Sequence, residues 1–225
     1  SFLFAFWVRS CFVADMNGPV FLFEEALSAR GFAHVAGVDE GGRGPLAGPG
    51  TAAAVILNPA SIPDGLNDSK KLTARRREML HDQIMAVAEV SIAHASVAEI
   101  DEINILRASH LAMTRAINGL PNAPHYALID GNMIPDDLGV PAEALIKGDA
   151  RSASIAAASI VAKFRRDRIM MDLAQQFPGY GWETNAGYGS KKHMDALANL
   201  GVTPHHRRSF KPVHNILYQA KSVSL

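Results

Sequence analysis

The sequence predicts an α/β fold: a mixed five-stranded sheet flanked by helices, followed by a helical C-terminal portion. Short apolar runs bounded by turn formers recur at residues 33–38, 51–57, 90–97, 126–129 and 142–146, which is the pattern of buried strands. Longer stretches of helical spacing lie between and mostly after them, and no linker or repeat divides the chain. With 225 residues, 48% apolar and 20% charged, the chain can bury a core without disulfide or zinc staples.

Residues 1–15 are apolar and aromatic, but the first uncharged run ends at Arg9. That is short of the roughly 20 residues a membrane span needs, and there is no charged start of the secretory type. Residues 1–30 are therefore expected to be an N-terminal extension, with 31–225 forming one domain. The lone Cys11 cannot make an internal bridge and fits a reducing compartment, the cytoplasm. The first strand, 33–38, ends at Asp39 and Glu40. The Gly- and Pro-rich GGRGPLAGPG that follows suggests an antiparallel pairing with strand 51–57. Thr73 can cap a helix to about residue 88 with Leu80, Ile84 and Val87 inward. Strand 90–97 and a helix over 100–118 come next. Strand 126–129 then delivers Asp130, residues around Asp136 and Asp137 read as loop, and strand 142–146 completes the sheet. The helix over 152–177 begins at a capping Ser and continues through small apolar residues that permit close packing. Residues 190–200 form a shorter helix, and the chain from Thr203 on reads as a basic loop.

Lys plus Arg and Asp plus Glu are equal at 22 each, but they are unevenly distributed. Residues 147–225 hold twelve basic against five acidic side chains, leaving ten against seventeen before them. An acidic pole and a basic pole suit a site that gathers cations beside a surface that holds phosphates, although solvated faces can give the same count. Asp39, Glu40, Asp130 and Asp149 all stand at strand or helix ends, where they can converge on one sheet edge. Converged, they would need a counter-charge of the kind Mg²⁺ supplies, and two such ions about 4 Å apart can drive phosphodiester hydrolysis. Taken singly, Asp130-Gly131 could be a simple turn and Asp149 a helix-dipole partner. Glu99, Asp101 and Glu102 read as a solvated helix start, and Asp167 as an intrahelical ion-pair partner. The pairs Lys70 and Lys71, Lys191 and Lys192, and Arg207 and Arg208 are each ordinary surface charge, yet together they could hold a nucleic-acid backbone without reading its sequence.

The strings VDEGGRGPLAGP, NDSKKL, IDGN, KGDARSASIAAASIVAKFRRDR, GYGSKKH and HHRRSF occur in this order over about residues 33–213. Together they resemble bacterial ribonuclease HII. The resemblance implies a ribonuclease H-like fold in a catalytic domain at 31–225. It also implies a metal-dependent endonuclease that cuts the RNA strand of RNA/DNA hybrids and nicks duplex DNA 5′ to single ribonucleotides. The products would carry 3′-hydroxyl and 5′-phosphate ends, with roles in ribonucleotide excision repair and primer removal. Asp39, Glu40 and Asp130 would be the principal ligands of Mg²⁺ or Mn²⁺ in a two-metal mechanism, with Asp149 completing the site. Gly42, Arg43 and Gly44 would read the ribonucleotide, because glycines let the backbone approach the sugar and its 2′-hydroxyl. Tyr188 would stack on the following deoxyribose, while Lys70 and Lys71 hold phosphates. Gly41 departs from the alanine most common there. A monomer with no membrane association is expected, and His193, His205 and His206 receive no catalytic role. Two alternatives are the related ribonuclease HIII, which carries an additional N-terminal domain, and a non-catalytic hybrid binder, against which the four intact acids stand.

Overall fold

In the computed structural model, which describes residues 18–218, the chain begins with α1 (Leu22–Ser28), β1 (Val35–Gly41), β2 (Gly50–Ile56), α2 (Ala74–Val87) and β3 (Glu89–Ala95). It continues with α3 (Val97–Asn118), β4 (Tyr126–Asp130), β5 (Ala142–Leu145) and a 3₁₀ turn (Gly148–Ala150). It ends with α4 (Ala153–Gln176), α5 (Trp182–Asn185), α6 (Lys191–Leu200) and α7 (Lys211–Tyr218). The expectations for residues 1–15 and Cys11 lie outside the described residues.

The strands form one sheet in the order β3-β2-β1-β4-β5. β1 and β2 are antiparallel, as are β2 and β3, whereas β1, β4 and β5 run parallel, so the sheet is mixed as expected. Alternation along β1 divides the core: Ala36 and Val38 face α3, while Val35 and Gly37 face α1 and α4. The alanine-rich start of α4 lies directly on the sheet. A Cβ built on Gly37 would fall 2.1 Å from the Ser154 backbone carbon, so only glycine permits this approach. A third cluster, around Trp182, Leu197, Met170 and Val213, joins the C-terminal helices to the end of α4.

Several boundaries differ from those expected. β1 extends through Gly41, so Asp39 and Glu40 lie within the strand instead of past its end. β3 stops at Ala95 because Ser96 is the N-cap of α3: its hydroxyl accepts from the Glu99 amide and the Glu99 carboxylate accepts from the Ser96 amide. Glu99 is therefore a capping residue, also paired with Arg115 at 2.6 Å, and not simply solvated. Asp101 accepts the Arg208 and Ser209 amides. α3 breaks at Asn104 (φ 67°), whose Oδ1 accepts from the amides of Leu106 and Arg107 and restarts the helix. Leu80 and Ile84 are fully buried, but Val87 is 38% exposed, one turn too far along to reach the core. Residues 203–210 are turn and loop as expected, but Lys211–Tyr218 form α7. α1 also packs on the sheet, with Leu27 buried against Val35, Leu128 and Ile155.

Candidate active site

The four acids arrive from three directions. Asp39 and Asp130 extend from the adjacent parallel strands β1 and β4, one residue beyond the Val38–Ile129 pair. Glu40 is the next residue along β1, and Asp149 sits in the 3₁₀ turn before α4. Asp39 is 5% exposed, whereas the other three are half-buried. Asp130 Oδ1 accepts the Gly148 amide at 2.7 Å, which ties β4 to the turn carrying Asp149. Glu40 and Asp130 line a cleft of about 190 Å³ with Arg43, Ser109 and His110.

Electrostatics register the convergence. Burial, then Glu40, Asp130 and Asp149, push the Asp39 carboxyl well above its usual range, with the nearby Ser159 side chain opposing them. Burial and Glu40 raise Asp130 against the Gly148 amide, and burial, Asp130 and Asp68 raise Asp149. Burial works against the Lys70 ammonium, yet Asp39, Asp68 and Asp149 together push it up. Among the described residues no group of three or more His, Cys, Asp or Glu is already arranged to hold a metal ion. The donor chemistry nevertheless fits hard divalent cations: these are oxygen ligands whose mutual repulsion a cation relieves.

The loop after β1 is held from beneath. Arg207, expected as surface charge, is 0% exposed. Its guanidinium donates to the carbonyls of Gly42 at 2.7 Å, Pro45 at 2.8 Å, Gly48 at 2.9 Å, Arg43 at 3.1 Å and Pro49 at 3.2 Å. Arg166, 1% exposed, donates to Ala47, Pro49 and Ala186. Burial and then Arg166 lower the Arg207 pKa to about 9, so it still carries its charge at neutral pH. Gly42 has φ +89°, and a Cβ there would meet Arg166 Nε at 2.0 Å. Arg43 and Gly44 are exposed, with Arg43 3.4 Å from Glu40. Lys70 and Lys71 are exposed as well. By contrast, Lys191 pairs with Asp195 and Lys192 with Glu183.

Tyr188 is 46% exposed, and its ring lies 3.3 Å from where a Gly44 Cβ would stand. Its backbone carbonyl accepts from His193 Nδ1 at 2.9 Å. His193 Nε2 in turn accepts from Trp182 Nε1 at 3.1 Å and from His206 Nε2 at 3.0 Å. Burial and then His193 lower His206 to about 4, so it is neutral at neutral pH. These histidines hold a loop in place. Sequence reasoning missed Ser159, Asp68 and Arg166, and took Arg207 for a surface cation that could hold a nucleic-acid backbone, a role its burial rules out. Arg166 had a signal, standing four residues from both Ala162 and Met170 on the buried stripe of α4, but Arg207 had none.

The sheet order and the carboxylates gathered beside β1 and β4 place the protein in the ribonuclease H-like class. The family described as Ribonuclease HII matches residues 36–213. The Ribonuclease HII of Ruegeria sp. (strain TM1040) is 65% identical over 224 residues, covering 97% of this chain and 98% of that protein. The ribonuclease H2 of Pyrococcus horikoshii OT3 matches with a TM-score of 0.70 at 27% identity, covering 83% of this chain and 98% of that one. Bst-RNase HIII, solved in complex with Mn²⁺, shares the fold with a TM-score of 0.69 at 19% identity, and only 70% of it is covered. The chain belongs to the ribonuclease HII family, and its activity is that of a ribonuclease H endonuclease.

Proposed function

We propose that this ribonuclease H nicks duplex DNA on the 5′ side of embedded single ribonucleotides and cuts the RNA strand of RNA/DNA hybrids. Both cuts leave 3′-hydroxyl and 5′-phosphate ends. The observation that carries the reading is the gathering of Asp39, Glu40, Asp130 and Asp149 where two parallel strands and a turn meet, with the Gly148 amide of that turn bonded to Asp130 Oδ1. Asp39, Glu40 and Asp130 would hold two Mg²⁺ or Mn²⁺ ions, with Asp149 completing the set. Bound there, the ions would supply an activated water and a counter-charge for the leaving oxygen. The chain's own residues do the rest. The backbone amides of Gly42, Arg43 and Gly44 address the 2′-hydroxyl from a loop whose Gly42 and Arg43 carbonyls are held from beneath by the buried Arg207. Arg43, Lys70 and Lys71 hold phosphates, and Tyr188, leaning on Gly44, offers its ring to the next deoxyribose. The proposed setting is a cytoplasmic monomer working in ribonucleotide excision repair and primer removal, its catalytic domain reaching back from the expected start at 31 to take in α1.

The test is a DNA duplex containing one ribonucleotide, incubated with Mg²⁺ and with EDTA, with product ends mapped. Metal-dependent nicking at the 5′ side is expected. Cutting of long hybrids with complete inactivity on the single ribonucleotide would overturn the junction reading, and binding without cleavage of either substrate would favour a non-catalytic binder.

A further inference from the structure

Residues 18–28 precede the segment that matches the family, yet they grip the turn that serves two of the acids. Glu24, in α1, is 2% exposed. Its Oε1 accepts from the Ser152 hydroxyl at 2.6 Å, the Ser154 amide at 3.0 Å and the Ser154 hydroxyl. Ser152 is the N-cap of α4, its Oγ accepting the Ile155 amide. On either side of Ser152, the Val20 amide donates to the Arg151 carbonyl at 2.9 Å and the Ala153 amide donates to the Val20 carbonyl at 3.0 Å. The Ser152 amide donates to the Gly148 carbonyl at 2.8 Å, and the Gly148 amide donates to Asp130 Oδ1 at 2.7 Å. A continuous hydrogen-bonded path therefore runs from Glu24 through Ser152 and Gly148 to Asp130, and Asp149 lies within the turn that it crosses.

We infer that Glu24 is a positioning residue for the cleavage reaction: it anchors the N-terminus of α4 and, through Ser152 and the 148–151 turn, sets where Asp130 and Asp149 stand. This rests on reading those two acids as cation-holding groups. The turn is short and its bonds are local, so whatever fixes Ser152 fixes the amide that orients Asp130. A buried carboxylate oxygen that gathers three donors suits the task, because solvent does not compete with it for those donors.

The test is amide hydrogen exchange with and without Mg²⁺, read beside steady-state cleavage. In Glu24→Ala, exchange at Gly148 and Ser152 should quicken by about tenfold or more relative to the β1–β2 ladder. kcat should fall about tenfold with KM unchanged, the low end of losses from groups that orient metal ligands. Glu24→Gln keeps an acceptor oxygen and should restore both readouts. Glu24→Asp shortens the reach and should reproduce the alanine effect on a smaller scale, so these two decide the matter if the alanine variant does not fold. Equal acceleration of every amide, with kcat reduced only in step with the folded fraction, would overturn the inference. Unchanged exchange at Gly148 would do the same. Asp130→Asn, run alongside, tests the parent reading separately: full activity there would sink the cation-holding role whatever Glu24 does.

Discussion

Burial and three neighbouring carboxylates oppose the charge on Asp39 and push its pKa well above the ordinary carboxylate range. Its folded-state pKa lies above the unfolded one, so the protonated acid stabilises the metal-free fold. That contribution is complete below the ordinary carboxylate range and lost as pH rises through the raised value. Asp39→Asn keeps the shape without the charge, and its metal-free melting temperature at pH 7–8 is expected to equal or exceed that of wild type. Turnover in Mg²⁺ should fall by roughly 10²-fold or more, the scale of a lost electrostatic group at a reaction centre, while much of the substrate affinity survives. Calorimetry and cleavage on one preparation check both halves, and near-normal rates would remove Asp39 from the site. Tyr188 presents a different problem, since a tyrosine can serve a core as well as a substrate. Its exposure and its lean on Gly44 favour the substrate. Tyr188→Ala should lower the ratio of single-ribonucleotide to continuous-hybrid cleavage by about 5- to 150-fold, the equivalent of roughly 1–3 kcal/mol of stacking. Tyr188→Phe should change it little. An unchanged ratio with a lower melting temperature would make the ring a packing group.

At the scale of elements, the contact of α4 with β1 controls both the core and the site. Gly37 lies two residues before Asp39, and Ser154 five residues after Asp149, so a displacement here moves both acids. Gly37→Ala is expected to cost about 1–3 kcal/mol by overpacking, lowering the melting temperature by several degrees. Cleavage should fall further than the loss of folded protein explains. Equal losses in folded fraction and activity would confine Gly37 to packing. The capping of α3 by Ser96 shows why helix ends are hard to place from sequence. The β-rich run through Val97 favoured a longer strand, and the reciprocal bonds with Glu99 prevailed. α7 was missed because its eight residues carry a proline and the basic Lys211 and His214, and Val213 gains its burial only against distant helices.

For the whole molecule, truncation separates the two parts of the N-terminal region. Removing residues 1–15 should leave activity and melting temperature nearly unchanged, whereas removing 1–30 also takes α1 and Glu24 and should lower both. A short deletion that fails to fold would refute the first expectation, and a long one that behaves as wild type would refute the second. The sequence by itself determined five strands and the long α4, and marked four acids near element ends as candidates, because periodicity, caps and turn formers are local properties that a chain displays before it folds. The resemblance carried by its motifs named the GRG loop and Tyr188. Only the tertiary structure decided that Arg207 lies beneath that loop instead of on the surface, that Arg166 joins it, and that Glu24 meets Ser152. Those contacts bridge about 120 to 165 positions of chain. The stripe of α4 could show that Arg166 is buried but not what it meets, because the partners of Arg166 and Arg207 are backbone carbonyls that every sequence possesses and those of Glu24 include the hydroxyls of ordinary serines far along the chain.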